Sequence, residues 1–170
     1  MTASKPGTSN PRIAIDRSAV LLADEPSVFV QIMVPGELHE RLADTSHALG
    51  AEHRKLRHQK TILGALVWRY IQPDDGERLR ELGAWLDAYL KTDIAEAPDE
   101  IKVGAHLPFS LKYRLDGAAL ALRRIRRAAS AKTLLSAVIW RHVDAAGIGE
   151  LVDLLAAYRE ISLPEPRPLP

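Results

Sequence analysis

The spacing of apolar residues switches along the chain between a strand-like run and a helical stripe. Val28 to Val34 reads Val-Phe-Val-Gln-Ile-Met-Val, a β-prone run too short for a helix and closed by Pro35. From Glu37 the period becomes helical. Leu38, Leu42, Thr45 and Leu49 step by four, three and four, which predicts one helix extending to about Arg57. A second helix, about 59–71, is apolar on nearly every face (Ile62, Leu63, Ala65, Leu66, Val67, Trp68, Ile71) and is expected to be buried. Gln72-Pro73-Asp74-Asp75-Gly76 breaks it, and a third helix follows at about 77–91 with Leu79, Leu82, Trp85, Leu86 and Leu90.

The same order then returns. Ile101 to Leu107 is a short extended run closed by Pro108, and Leu111, Leu115, Ala118, Leu122 and Ile125 form the next helical stripe. Ser130 is placed to cap a second buried helix, about 131–143. Asp144-Ala145-Ala146-Gly147 breaks the chain before a last helix at about 149–161, carrying Leu151, Leu154, Leu155, Tyr158 and Ile161. Residue identity follows the pattern. Lys60-Thr61-Ile62-Leu63-Gly64-Ala65-Leu66-Val67-Trp68-Arg69-Tyr70-Ile71 recurs as Lys132-Thr133-Leu134-Leu135-Ser136-Ala137-Val138-Ile139-Trp140-Arg141-His142-Val143, six of twelve positions identical at an offset of 72. Around the strands the offset is 73, relating Pro35 to Pro108 and Arg41-Leu42 to Arg114-Leu115. Such a period predicts one supersecondary unit made twice, with a shared buried face.

The chain accordingly divides into an N-terminal segment, 1–27, expected to be largely disordered; a first unit with an extra helix, 28–91; an acidic linker, 92–100; a second unit with an extra helix, 101–161; and a Pro-rich tail, 162–170, expected to be extended. The length of 170 residues accommodates one domain or two small ones. The absence of cysteine rules out disulfides and thiolate metal sites and suits a reducing cytosol. No run reaches the roughly 18 apolar residues of a membrane span, and Met1 to Arg12 lacks the apolar core of a signal peptide. Abundant alanine and arginine suit a GC-rich bacterium.

Net charge is only +1, yet the charge is segregated. Arg54, Lys55, Arg57 and Lys60 lie in an acid-free run, as do Arg123, Arg124, Arg126, Arg127 and Lys132, whereas residues 74–100 hold nine acids against three bases. Such runs are either solvated faces or a footprint for a polyanion, and their recurrence in both copies brings the second reading level with the first. Little else suggests chemistry. The six histidines lack the spacing of a helical zinc site, no serine sits in a glycine elbow, and there is no Gly-rich phosphate loop. A non-enzymatic protein without metal or cofactor is expected. Trp68 and Trp140 belong to apolar helices and are expected in the core.

Strand, proline, amphipathic helix, turn and buried helix, over about 28–71 and again 101–143, resemble the ribbon-helix-helix family of DNA-binding proteins, the Arc repressor class. The third helix of each copy is an addition to that pattern. The resemblance implies a mainly α fold with a short two-stranded β-ribbon, built from two tandem strand-helix-helix-helix repeats as a pseudo-twofold unit, with the ribbon entering the major groove of double-stranded DNA. Strand alternation then points Val28, Val30, Ile32 and Val34 inward in one copy, and Ile101, Val103, Ala105 and Leu107 in the other. Phe29, Gln31 and Met33 face outward, as do Lys102, Gly104 and His106. Gln31 is suited to adenine, Lys102 to guanine, and His106 can donate or accept. Phe29 and Met33 depart from the polar pattern of reading strands; contact with thymine methyls, a protein partner, DNA reading by the second half of the ribbon alone, or packing beneath the N-terminal segment would each explain them.

The resemblance also implies phosphate contacts at the start of each buried helix, by Lys60 and Thr61 and by Lys132 and Thr133. Arg54, Lys55 and Arg57, and Arg123, Arg124, Arg126 and Arg127, lie just upstream. The expected function is a cytoplasmic, nucleoid-associated transcriptional repressor or a plasmid partition or transfer factor. A non-enzymatic helical protein–protein interaction module is the rival, with a partner protein at the third helices or the tail. A homodimer through the third helices is a further arrangement compatible with the sequence.

Overall fold

The computed structural model describes residues 22–162; the expectations for 1–21 and 163–170 lie outside these residues. Two strands, β1 (Ser27–Pro35) and β2 (Glu100–Pro108), pair antiparallel into a two-stranded ribbon. The register sets Phe29 opposite His106, Gln31 opposite Gly104, and Met33 opposite Lys102. Among the described residues the other regular structure is helical and includes α1 (Gly36–Glu52), α2 (Gln59–Tyr70), α3 (Gly76–Leu90), the short α4 (Asp93–Glu96), α5 (Phe109–Arg123), α6 (Ala131–His142) and α7 (Ile148–Ser162), with a 3-10 turn at Ala145–Gly147. Among the described residues no helix is long and apolar enough to cross a membrane.

Alternation along the strands gives the ribbon two unlike faces. Ile32, Val34, Val103, Ala105 and Leu107 are buried on the helices, Val28 and Val30 partly so. Ile101 departs from the inward expectation. It sits near the end of the ladder and is 39% exposed.

Pro35 and Pro108 each close a strand and open a helix, because their fixed φ, −53° and −52°, fits the N-cap of a helix. The helix starts are satisfied from elsewhere in the chain. Gly36 N–H donates to Asp99 O (3.1 Å), Phe109 N–H to Pro26 O (3.0 Å), and Ser110 N–H to the Glu25 carboxylate (3.0 Å). Leu22 is buried as well. Leu22 to Pro26, assigned from sequence to a disordered segment, are therefore held by hydrogen bonds and core contact that no local pattern announces.

The stripe of α1 (Leu38, Leu42, Thr45, Leu49) is buried as its spacing predicts. The helix ends at Glu52 rather than near Arg57, because the chain turns to bury Leu56 and Ser46 Oγ holds Arg57 O at 2.7 Å. In α5, Leu111, Leu115, Ala118 and Leu122 are buried, but Ile125 is 80% exposed. The helix stops at Arg123, and the turn that follows sends Ala129, not Ile125, into the core. The acidic linker is not a plain connection: it contains α4, capped by Thr92, and its last residue, Glu100, begins β2.

At the centre lie α2 and α6. Thr61 to Trp68 and Leu134 to Ile139 are buried without interruption. The third helices cross over: α3 packs on α6, and α7 packs on α2. Tyr89 comes 6.1 Å from the Trp140 ring, and Tyr158 comes 6.0 Å from the Trp68 ring. Trp68 is buried, and Trp140 packs half-buried against the core. Leu82 and Leu86 of α3 and Leu151, Leu154 and Leu155 of α7 are buried within the chain, each such side chain contributing roughly 1.5–3 kcal/mol. These five leucines of the third helices thus have their partners inside the same chain.

Two arginines tie the layers together. Arg41 of α1 donates to Trp140 O (3.1 Å), and Arg114 of α5 donates to Trp68 O (3.2 Å). Each brings a cation to carbonyls in the last turn of a helix, where the macrodipole favours it. At the same end, Tyr70 stacks on His142 with centroids 3.7 Å apart and planes 5° apart.

Candidate nucleic-acid interface

The outward face of the ribbon presents Phe29, Gln31, Lys102 and His106 to solvent, with Met33 half-buried. Alternation places each strand's members of this set on one face, and the register brings the two sets together on every second rung of one short ladder. The Phe29 ring lies across the strand over Gly104 and 5.2 Å from the His106 ring. Gln59 Nε2, in the first turn of α2, donates to Gly104 O at 2.9 Å. The start of α2 is thereby tied to the centre of the ribbon, a role for Gln59 absent from the sequence reading. Its counterpart at the 72-residue offset is Ala131, so repetition carried no signal for it.

The two buried helices begin differently. No side chain caps α2, whose N-cap is His58, while Thr61 and Ile62 N–H both donate to His58 O. A capping box closes α6: Thr133 N–H donates to Ser130 Oγ (3.1 Å), and Ser130 N–H donates to Thr133 Oγ1 (2.9 Å). Ser130 is the cap its position predicts. The Thr133 hydroxyl also donates to Ala128 O at 2.6 Å, so it is engaged within the chain. Thr61 is buried at 8% exposure. The start of α2 is therefore the one whose backbone N–H groups lack a side-chain cap, as an anion site requires.

The basic residues also separate. Arg54, Lys55, Arg57 and Lys60 are exposed and make no ion pair among the described residues. Arg124 and Arg127 are likewise exposed and unpaired, and Arg123 uses its Nε–H on Ala129 O (3.1 Å). Arg126 differs. It forms a two-pronged pair with Asp87 of α3, at 2.9 and 3.0 Å, and the guanidinium holds the Asp87 carboxyl below its ordinary range. Lys132 pairs with Glu100. Sequence grouped Arg126 and Lys132 with the phosphate candidates; their folded neighbours are carboxylates. The partners lie 39 and 32 residues away, beyond any local pattern.

A cavity of about 240 Å³ adjoins the start of α2, lined in part by Lys60, Thr61, His106, Tyr158 and Arg159. It brings a base-reading candidate and two phosphate candidates beside Arg159. Sequence reasoning missed Arg159, because only the crossing of α7 onto α2 carries it there. Comparison with family models, with curated protein sequences and with solved structures gave no match to this chain.

Proposed function

We propose that this chain is a sequence-specific double-stranded DNA-binding protein of tandem ribbon-helix-helix type that lays the β1–β2 ribbon in the major groove. The carrying observation is the centre of the ladder. Gln31 pairs with Gly104, the residue 73 positions later, and 73 is also the offset relating Pro35 to Pro108. A ladder centred on two equivalent positions is what two copies of one unit make when they pair about a pseudo-twofold axis. The reciprocal bonds support the same reading. Gly36 to Asp99 matches Phe109 to Pro26, Arg41 to Trp140 matches Arg114 to Trp68, and Tyr70 stacks on its counterpart His142.

A two-stranded ribbon fits the major groove. Gln31 and Lys102 offer hydrogen bonds to base edges, while Arg54, Lys55, Arg57, Lys60, Arg124 and Arg127 provide cations for phosphate. The outward residues differ between the strands, so one chain favours a non-palindromic site. A transcriptional repressor or a plasmid partition or transfer factor is the role that suits such binding.

A second reading, a non-enzymatic protein–protein interaction module, draws on α5. There Phe109 (53%), Tyr113 (71%) and Leu120 (63%) lie exposed on one side of the helix. Selection from random duplex DNA with the full chain, near physiological salt, separates the two. Enrichment of an asymmetric motif is expected. Weak, salt-sensitive binding without enrichment would refute sequence reading and favour the interaction module.

A further inference from the structure

We infer that Phe29 is a specificity-determining residue that reads the C5-methyl group of a thymine, its ring lying in the space that the absence of a side chain at Gly104 leaves open. The inference rests on the DNA-binding reading and names the base chemistry at one end of the ribbon. Phe29 is 54% exposed on the outward face. A Cβ on Gly104 would come 2.7 Å from Phe29 Cζ and 3.2 Å from Cε2. The ring therefore occupies the space a side chain at the centre of the ribbon would take. The His106 ring, tilted by 54°, flanks it. Gly104 has an ordinary negative φ, so its lack of a side chain matters for space and not for backbone conformation.

The surroundings of the ring favour a single methyl over a protein partner. Gln31, Lys102 and His106, all exposed, share the face with it. A protein-docking patch is a contiguous apolar area, whereas this face exposes one ring among polar groups, its other apolar member, Met33, being half-buried. The C5-methyl of thymine is the apolar feature that base edges present in the major groove. A ring already seated loses little side-chain freedom on meeting it.

Register adds a spacing. Lys102 lies opposite Met33, four residues along β1 from Phe29. Four residues span about 13 Å, or about three to four base pairs along the groove. The thymine under Phe29 and a guanine under Lys102 should stand that far apart, with the Gln31 contact between them.

The test starts from the duplex selected by the full chain. Each dT is replaced in turn by dU, which removes only the methyl, and affinity is measured for the wild type, Phe29→Ala, Phe29→Leu and Gly104→Ala. One dT position is expected at which dU weakens wild-type binding about fourfold, the worth of one buried methyl. Placing 5-methyl-dC at that position should restore part of the loss relative to dC. Phe29→Ala should bind dT and dU equally there. Gly104→Ala, which displaces the ring, should do the same, and Phe29→Leu, which keeps an apolar contact, should retain part of the preference. Site-specific binding with dT and dU equivalent everywhere would overturn the inference and leave the DNA reading standing. A dU penalty unchanged in Phe29→Ala or Phe29→Leu would overturn the assignment to Phe29. Failure to select any sequence would overturn both readings.

Discussion

Gly64→Ala sets helix propensity against packing, and the two effects have opposite signs. Gly64 lies in the interior of α2, where alanine is intrinsically better by about 1 kcal/mol. Its Cβ, however, would stand 2.2 Å from Tyr158 Oη, 2.5 Å from Cζ and 2.7 Å from Cε1. Tyr158 is 3% exposed and packed near Trp68, so its ring can yield only by loosening α7. Overpacking of this kind costs about 1–3 kcal/mol, and three approaches this close belong in the upper part of that range. After the propensity gain, a net loss of about 1–2 kcal/mol remains. For a chain of this size that lowers Tm by roughly 2–8 °C. Thermal unfolding followed by circular dichroism, together with urea titration, measures it. Two companions sharpen the reading. Gly149→Ala, in the first turn of α7 with nothing within 4 Å, should be neutral or stabilising. In a Tyr158→Ala background, Gly64→Ala should also turn stabilising, because the clash has gone. A wild-type background in which Gly64→Ala raises Tm would refute the packing of Tyr158 over α2, and with it the crossing of α7.

Burial, aided by Arg141, lowers the His142 imidazole to about 4, and its Nε2 has no hydrogen-bond partner among the described residues. The unfolded chain, with an imidazole near 6.5, then binds more protons than the folded one between pH 6.5 and 4. Stability is complete above that window and falls through it by about 1–3 kcal/mol as pH is lowered. Urea midpoints at pH 7, 5 and 4 should show this slope in the wild type and a flatter one in His142→Phe; equal slopes would place His142 in solvent. In the second basic run, Arg124→Ala and Arg127→Ala should each reduce the salt dependence of DNA binding by about one phosphate contact. Arg126→Ala should leave that slope unchanged and lower stability by at most about 1 kcal/mol, since its pair with Asp87 is partly exposed. A reduced salt slope in Arg126→Ala would mean that the Asp87 pair opens on DNA.

Features carried by nearest neighbours were legible in the sequence. Pro35 and Pro108 fix their own φ, so the ends of both strands were readable. Leu38, Leu42, Thr45 and Leu49 are buried because a helical period places them on one side, and Ser130 caps α6 because the N–H groups it serves lie within one turn. The outward face of the ribbon followed from a period of two. Features that depend on a distant partner were not legible. Leu22 to Pro26 are ordered by Phe109 and Ser110, some 85 residues along the chain. The end of α5, the exposure of Ile125, and the engagement of Arg126 and Lys132 by carboxylates all depend on where other segments pass. The seating of Phe29 over Gly104 depends on strand register, and the crossing of α3 and α7 on which helix offers each a complementary surface. Sequence determines local conformation because torsional and capping energies act within a few residues. Tertiary structure decides partners, because shape and charge complementarity exist only once distant segments are brought together.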